Sequence, residues 1–429
     1  MPPFRAGGLS ETRTPLDRES WSERTGQSLE KGCRSSQPYF SYIFRPIPGW
    51  GHLYSRAVEG QVAASTTQDR RSEQAETLAS LHRGSYNAEA PGAREMIIAE
   101  DKLIGRIRRR IPSAEGGLLR LGIGDDAAVL RPGPRADWII TCDQFLEDVH
   151  FLAAAHPPEA VGYKALARAT SDIAAMGARP QLFLLSLVIP MERTGRWLDR
   201  MLTGMARAAR QYGLRLAGGD TAQSPASNPK IGLSITVIGV AERGRALRRS
   251  GARAGDAIFV SGRLGAAELG LELVLRGLQR ERRWKRLLLP QFYPALALDL
   301  GQWLAQRRLA SAAMDISDGL SIDLYRLCQS SGAGARIYAP QIPCVAVPGE
   351  LRALGVDALK LALDGGEDYG LLFTVPKRWA ARIPRKFLGK ELTRIGEIVR
   401  GRGVRLVGAD GTSSALEPGG WDHFRQRAR

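Results

Sequence analysis

Residues 158–176 read PEAVGYKALARATSDIAAM and run into GARP at 177–180. Proline at the start, with Gly177 and Pro180 just past the end, marks a helix over Pro158–Met176. Val161, Ala165, Ala169 and Met176 recur at helical spacing and define its inward stripe. Asp172 falls on that stripe, three residues after Ala169 and four before Met176. A carboxylate facing inward is costly unless it is paired or metal-bound. The neighbouring alanines leave room for a ligand to approach; a hydrogen bond to nearby backbone is the plainer alternative.

Outward from this helix, strands and helices alternate. Before it, a short amphipathic helix is expected at Ile97–Ile107 and strands at Ala127–Leu130 and Trp138–Thr141. After it come a strand at Leu182–Ile189, a helix at Arg196–Tyr212, and strands at Leu214–Ala217 and Ile231–Val240. These make a first α/β domain, 96–245. A second, 246–429, begins with a strand at Ala257–Val260 and helices at Ala266–Leu278 and Pro294–Gln306. It continues with a strand at Ala312–Asp315, helices at Asp318–Cys328 and Leu351–Leu363, a strand at Leu371–Val375 and a closing strand pair. The fold class expected is α/β (α+β) in two domains. No short repeat is present, which excludes a solenoid.

Residues 1–95 are different in kind. They are rich in Ser, Gly, Gln, Arg and Glu, carry 12 basic against 11 acidic residues, and lack sustained periodicity. Such a segment buries too little apolar area to offset its ordering entropy. It reads as a disordered extension, or as an artefact with translation starting at Met96; the patch Tyr39–Phe44 is a candidate docking motif. There is no apolar core of a secretory signal, and a transit peptide is usually poor in acids.

The formal charge is +17, but the 61 basic residues are 52 Arg and only 9 Lys. That skew resembles a genome-wide bias, and no basic run is interleaved with aromatics, so nucleic acid is not expected as a partner. A basic rim that draws in polyphosphates is the better functional reading. No apolar run approaches a membrane span, since Leu182–Ile189 is interrupted by Ser186. Cys33, Cys142, Cys328 and Cys344 lack CxxC spacing, which suits a reducing cytoplasm rather than a disulfide framework or structural zinc.

Six acidic motifs stand near expected element ends, most beside glycine: GIGDD at 122–126, TCD at 141–143, SD at 171–172, GGDT at 218–221, DISDG at 315–319 and GGEDY at 365–369. Any one alone is commonly a turn former or cap. Six together, at boundaries where loops carry function, point to a site. If Asp126, Asp143, Asp172, Asp220 and Asp315 converge, each pair about 5 Å apart repels by roughly 3 kcal/mol at an effective dielectric near 20. The cluster then needs cations, and all-oxygen ligation points to Mg²⁺ with substrate phosphates. There is no GxxxxGK[ST], no kinase HRD or DFG set and no complete GxGxxG. Phosphate would be held by metal, by backbone N–H groups at a helix start capped by Ser317, and by Arg249.

In order along the chain, GIGDDAAVL, TCDQFLEDVHF, YKALARATSDIAAMGARP, LAGGDTAQS, LRRSGA, MDISDGLSIDL, GGEDYGLLFT and GWDHF resemble thiamine-monophosphate kinase over residues 96–429. The resemblance implies transfer of the γ-phosphate of ATP to thiamine monophosphate by a homodimer whose N-terminal sheets join across a two-fold. It implies Mg²⁺ ligands at Asp126, Thr141, Cys142 (through its carbonyl), Asp143, Asp172, Asp220, Asp315 and Asp318. ATP would meet Tyr212, Gly219, Asp220, Arg249 and Ser317. The substrate would meet His150, Glu367 and Trp421, the last stacking on a thiamine ring. Asp143, Asp172 and Asp220 would form the catalytic set.

Three positions depart from the family pattern. Cys142 stands where Thr is usual, Asp148 where Gly is usual, and Gly370 where Glu often follows. Asp148 would add negative charge near the substrate's phosphate. The absence of a reactive Cys before the first glycine-rich motif disfavours selenophosphate synthetase, and no Cys ends the chain as in the hydrogenase-maturation factor. Aminoimidazole-ribonucleotide synthetase is the remaining rival; His150 and the closing GWDHF argue against it. Since a phosphomonoester is largely dianionic at pH 7, direct in-line transfer without a strong base is expected.

Overall fold

The computed structural model describes Lys102, Ile104, Gly105 and residues 115–423. The extension 1–95, most of the helix expected at Ile97–Ile107, and Phe424 of GWDHF lie outside the described residues.

The first sheet has six strands: β1 (Leu119–Leu121), β2 (Ala128–Leu130), β3 (Ala136–Leu146), β4 (Arg179–Ile189), β5 (Arg215–Gln223) and β6 (Gly232–Glu242). Their order is β1-β2-β3-β6-β4-β5, antiparallel throughout except for the parallel pair β4–β5. Along β6, Leu233, Ile235 and Val237 are buried, alternating with half-buried residues, the period-2 pattern of a sheet covered on one face. That cover is α1 (Pro158–Ala175), which packs on β3 and β6, with α2 (Arg196–Tyr212) against α1. The α1–α2 crossing is very close. A Cβ on Gly162 would lie 1.9 Å from the Met201 carbonyl oxygen, and one on Gly204 would lie 1.8 Å from that of Glu159.

The second half supplies β7 (Ala257–Ser261), α3 (Ala266–Leu275), α4 (Lys285–Phe292), α5 (Leu298–Arg307), β8 (Ala312–Asp315), α6 (Leu320–Ser331) and β9 (Gly334–Tyr338). Then follow α7 (Gly349–Ala353), α8 (Ala358–Asp364), β10 (Leu371–Val375), β11 (Lys386–Phe387), β12 (Lys390–Val399), β13 (Val404–Val407) and β14 (Ser413–Ala415). The strands form one mixed sheet in the order β14-β13-β9-β12-β7-β10-β8, with β11 on β12. One core joins the sheet to α6 through Ile258, Met314, Leu324 and Leu327. Another joins Phe259, Ala313 and Phe373 to Leu300 and Leu304 of α5 and to Ala175 of α1. Helix α5 reaches α1 by the same device, since a Cβ on Gly301 would lie 2.0 Å from the Ala174 carbonyl oxygen. The central helix α1 is thus clasped between the two halves.

The α/β fold class holds, and α2, β8 and β10 occupy the residues expected of them. Four details differ. Strands β3 and β5 run past their expected ends, because β3 pairs with β6 over Ala136–Leu146 and β5 with β4 out to Gln223. Thr141, Cys142, Asp143 and the GGDT motif therefore lie inside strands. The helix expected at Leu351–Leu363 is two, interrupted where Gly355 takes φ 82° and Asp357 caps the second by accepting from Lys360 N at 2.7 Å. The helix expected from Pro294 begins only at Leu298, and β1, α4, β9 and two of the four closing strands β11–β14 had no counterpart in the sequence reading.

Candidate active site

Buried polar residues run along α1. Lys164, Arg168 and Asp172 follow at i, i+4 and i+8, which places them on one face, and each meets a partner from another element. Lys164 Nζ donates to Glu367 Oε2 at 2.6 Å, Arg168 Nε to Asp143 Oδ2 at 3.3 Å, and Thr141 Oγ1 to Asp172 Oδ2 at 2.5 Å. Beside them Ser171 Oγ donates to Asp315 Oδ2 at 2.6 Å.

At the Asp172 end, Asp126, Asp172 and Asp315 each bring a carboxylate oxygen within 4.8 Å of the others. Burial, together with the mutual repulsion of the group, pushes Asp172 well above the usual carboxylate range and Asp315 to about 7. Asp126 is also raised by burial, although Arg249 offsets part of it by donating from Nε at 2.8 Å and Nη2 at 2.6 Å to its Oδ1. Its Oδ2 is buried with no hydrogen-bond partner among the described residues. Two buried carboxylates and a half-buried one, with one orphaned oxygen, are a donor set that fits a hard divalent cation. They line a cavity of about 810 Å³ together with Thr141, Cys142, Asp143, Asp318, Arg249 and Ser317. Cys142 is exposed, with Sγ 3.4 Å from Ser234 Oγ.

A second cavity, about 110 Å³, adjoins the first and is lined by His150, Glu367 and Trp421. His150 Nδ1 accepts from Leu146 N at 2.9 Å, which leaves the proton on Nε2. That Nε2 is buried and has no partner among the described residues. Burial, with Arg168 nearby, lowers the imidazole pKa to about 2, so His150 is a neutral donor. His423 stands between His150 and Trp421, with ring centroids 5.2 and 5.6 Å away, building an aromatic wall. Glu367 sits in the left-handed region at φ 67°. Burial would raise its pKa, but the Lys164 ammonium outweighs this and holds it below the usual range.

The structure therefore gathers Asp126, Thr141, Cys142, Asp143, Asp172, Asp315, Asp318, Arg249 and Ser317 at one cavity and His150, Glu367 and Trp421 at the other. Three expected residues lie elsewhere in this chain. Asp220 is exposed on the edge strand β5. Asp143, Ile235, Leu185 and Gly219 share one row across the sheet, so three strand spacings, about 14 Å, separate Asp143 from Gly219. Gly219 itself is required by the close β4–β5 approach, since a Cβ there would lie 1.8 Å from the Leu185 carbonyl oxygen. Tyr212 is buried, its hydroxyl 2.8 Å from that of Tyr163 and donating to the Pro294 carbonyl at 2.9 Å.

The expected Ser317 cap is also corrected. Helix α6 is preceded by Gly319, and the N–H groups of Ser317, Asp318 and Gly319 all donate to Asp323 Oδ2 at 3.1 Å. That nest is filled by the protein's own carboxylate. Lys164, Arg168 and Asp323 escaped the sequence reading; the spacing of Lys164 and Arg168 from Asp172 was the available signal. Arg326, which pairs with Asp318 and Asp323, escaped it too.

Two of the three departures, Asp148 and Gly370, have local reasons. Asp148 occupies φ 66°, where glycine is freest, and Lys230 Nζ at 2.5 Å answers its charge. At Gly370 a Cβ would lie 2.6 Å from the Ser261 carbonyl oxygen, leaving no room for a side chain.

Two family models match: AIR synthase related protein, N-terminal domain, over residues 124–241, and AIR synthase related protein, C-terminal domain, over 253–409. Fold and acidic site together thus define an AIR-synthase-related protein. Among curated relatives, the thiamine-monophosphate kinase of Aquifex aeolicus is 36% identical over 308 residues, 70% of this chain and 92% of the relative. That of Salmonella typhimurium is 36% identical over 337 residues, 77% of this chain and 99% of the relative. The solved structure of AaThiL complexed with AMPPCP and TMP matches with TM-score 0.66 at 34% identity, covering 78% of this chain and all of that one. The chain belongs to the thiamine-monophosphate kinase family.

Proposed function

We propose that this chain transfers the γ-phosphoryl group of ATP to thiamine monophosphate, giving thiamine diphosphate and ADP in thiamine diphosphate biosynthesis. The observation that carries the reading is the junction of the two cavities, which share Arg168, Ser317 and Asp318. The acidic cavity takes the nucleotide phosphates, and Asp126, Asp143, Asp172, Asp315 and Asp318, with Thr141 and the Cys142 carbonyl, would hold Mg²⁺. Bound there, Mg²⁺ supplies positive charge that neutralises the phosphates. The smaller cavity takes thiamine monophosphate. Of the six carboxylates in its lining, Asp148, Glu272, Asp318 and Glu367 are answered by Lys230, Arg276, Arg326 and Lys164, so a thiazolium cation would be met mainly by Glu268 and Asp364. Trp421 offers a π-face for the same charge, and His150 donates from Nε2 to the substrate. A phosphate oxygen of thiamine monophosphate attacks the γ-phosphorus, the new P–O bond forms as the bond to ADP breaks, and no phospho-enzyme intervenes.

The dimer belongs to the same proposal. Strand β5 is exposed along its whole length at the sheet edge, and Trp138, Leu184, Val188 and Leu216 expose apolar surface on the same sheet. A second copy joined there would cover them and present its own Gly219 and Asp220. Domains at 96–245 and 246–429 and a cytoplasmic setting complete the reading; among the described residues Cys142, Cys328 and Cys344 are free and no helix is long and apolar enough to cross a membrane. The test uses the full-length chain with ATP, Mg²⁺ and thiamine monophosphate, following products by chromatography. Equal amounts of thiamine diphosphate and ADP, abolished by EDTA, are expected; ATP binding without thiamine diphosphate from folded protein would overturn the reading. Sedimentation tests the dimer.

A further inference from the structure

We infer that Arg168 is a catalytic residue of this reaction, its guanidinium spanning the gap between the two cavities and donating to the phosphoryl group in flight. The inference rests on the kinase reading and adds to it. Arg168, Ser317 and Asp318 line both cavities, and Arg168 is the cation among them. Its backbone belongs to α1, which Gly162 and Gly301 lock against two neighbouring helices. Its Nε is tethered to Asp143 at 3.3 Å, a long contact that orients the fork without consuming it. The two terminal nitrogens make no other hydrogen bond among the described residues, and the side chain is 18% exposed. A guanidinium so placed offers two donors, in fixed geometry, to oxygens arriving from either side.

The chemistry needs such a group at the seam. Donor and acceptor are both polyanions, and Arg168 is the cation among the residues that line both cavities. As the bond to ADP breaks and the bond to the acceptor oxygen forms, charge spreads over the equatorial oxygens of the transferred group. Preorganised donors aimed there stabilise the transition state more than either ground state. Arg168 would also screen the repulsion that keeps the two phosphates apart. A plain counter-ion to Asp143 would do neither.

The experiment compares full-length wild type with Arg168→Gln and Arg168→Lys under saturating Mg²⁺. Arg168→Gln is expected to lower kcat by about 10²–10³-fold while KM for thiamine monophosphate shifts less than about threefold. Arg168→Lys keeps the charge beside Asp143 but not the fork, and a loss of about tenfold or more in kcat is expected. Calorimetry gives a readout free of turnover. The affinity for ADP with aluminium fluoride and thiamine monophosphate should fall about 10²-fold in Arg168→Gln, with ADP affinity unchanged. If wild type makes thiamine diphosphate and both variants keep kcat within threefold, Arg168 is a counter-ion and the inference fails alone. If wild type makes none, the kinase reading has failed first.

Discussion

Two sets of carboxylates, buried or half-buried, lie beside the same face of α1, and they are electrostatic opposites. Glu367 has a private cation: Lys164, 1% exposed, donates to it at 2.6 Å, and its pKa is held down. Asp172 and Asp315, two helical turns further on, face one another and Asp126, and both pKa values are pushed up by burial and by that company. The first arrangement is finished within the chain. The second is left short of positive charge; Arg249, bonded to Asp126, goes part of the way, and Arg326 adds to it. On the proposed reading, the difference separates a group that would position a substrate from one that would take an ion.

The largest expected effect tests the second region. Asp172→Asn should lower kcat/KM by on the order of 10³-fold or more, since an uncharged amide cannot complete the cation platform. Metal-free stability should not fall, because the change removes repulsion; denaturant melts in EDTA would be unchanged or shifted upward. A loss of only a few-fold in activity would take Asp172 out of the site. The first region should behave the other way. Lys164→Met leaves Glu367 without its partner, and breaking such a pair costs about 3–5 kcal/mol. Adding Glu367→Gln should recover much of that stability while substrate affinity remains poor. A double-mutant cycle with no coupling would dissolve the comparison.

A smaller effect follows from the sign of the shifts. Asp315 has a folded pKa near 7 against an ordinary 3.8, so between those values the folded state holds more protons than the unfolded one. Stability of the metal-free protein therefore falls as pH rises from about 4 to 7 and levels off above. Mg²⁺ must displace those protons, so it should raise Tm more at pH 8 than at pH 5.5. A Tm gain independent of pH would show that the ion does not bind to the raised carboxyls.

Much of this site was legible because its acids sit in short motifs whose chemistry is local. Asp126, Asp172 and Asp315 could be singled out from glycine neighbours, helical spacing and strand ends, and they converge. What stayed hidden depends on partners distant in sequence. Lys164 reads as one more residue of an Ala-rich helix until Glu367, 203 residues on, is placed beside it. Asp143 looked like a residue just past a strand's end at Thr141 because only the register with β6 shows that β3 continues to Leu146. The N–H groups around Ser317 looked open for phosphate, and a carboxylate from the following helix had filled them. Asp220 carries the same glycine signal as the others, but local sequence does not say that its strand forms the sheet's edge, three strands from Asp143.

The smallest effect belongs to an acid at the rim of the smaller cavity. Asp148 combines two opposing local terms. Its φ of 66° is a conformation in which an L-residue is strained by about 1 kcal/mol, which Asp148→Gly would relieve. Its ion pair with Lys230 is half-exposed on both sides, 36% and 46%, and is worth at most about 1 kcal/mol. The two nearly cancel, so Asp148→Gly should shift Tm by no more than about 2 °C. Because Lys230 already neutralises Asp148, KM for thiamine monophosphate should change less than about threefold. A large drop in KM would mean that the carboxylate repels the substrate's phosphate despite its partner. In that case the rim of this cavity would be as unfinished electrostatically as the acidic cavity beside it, and the contrast between the two regions would narrow to Glu367 alone.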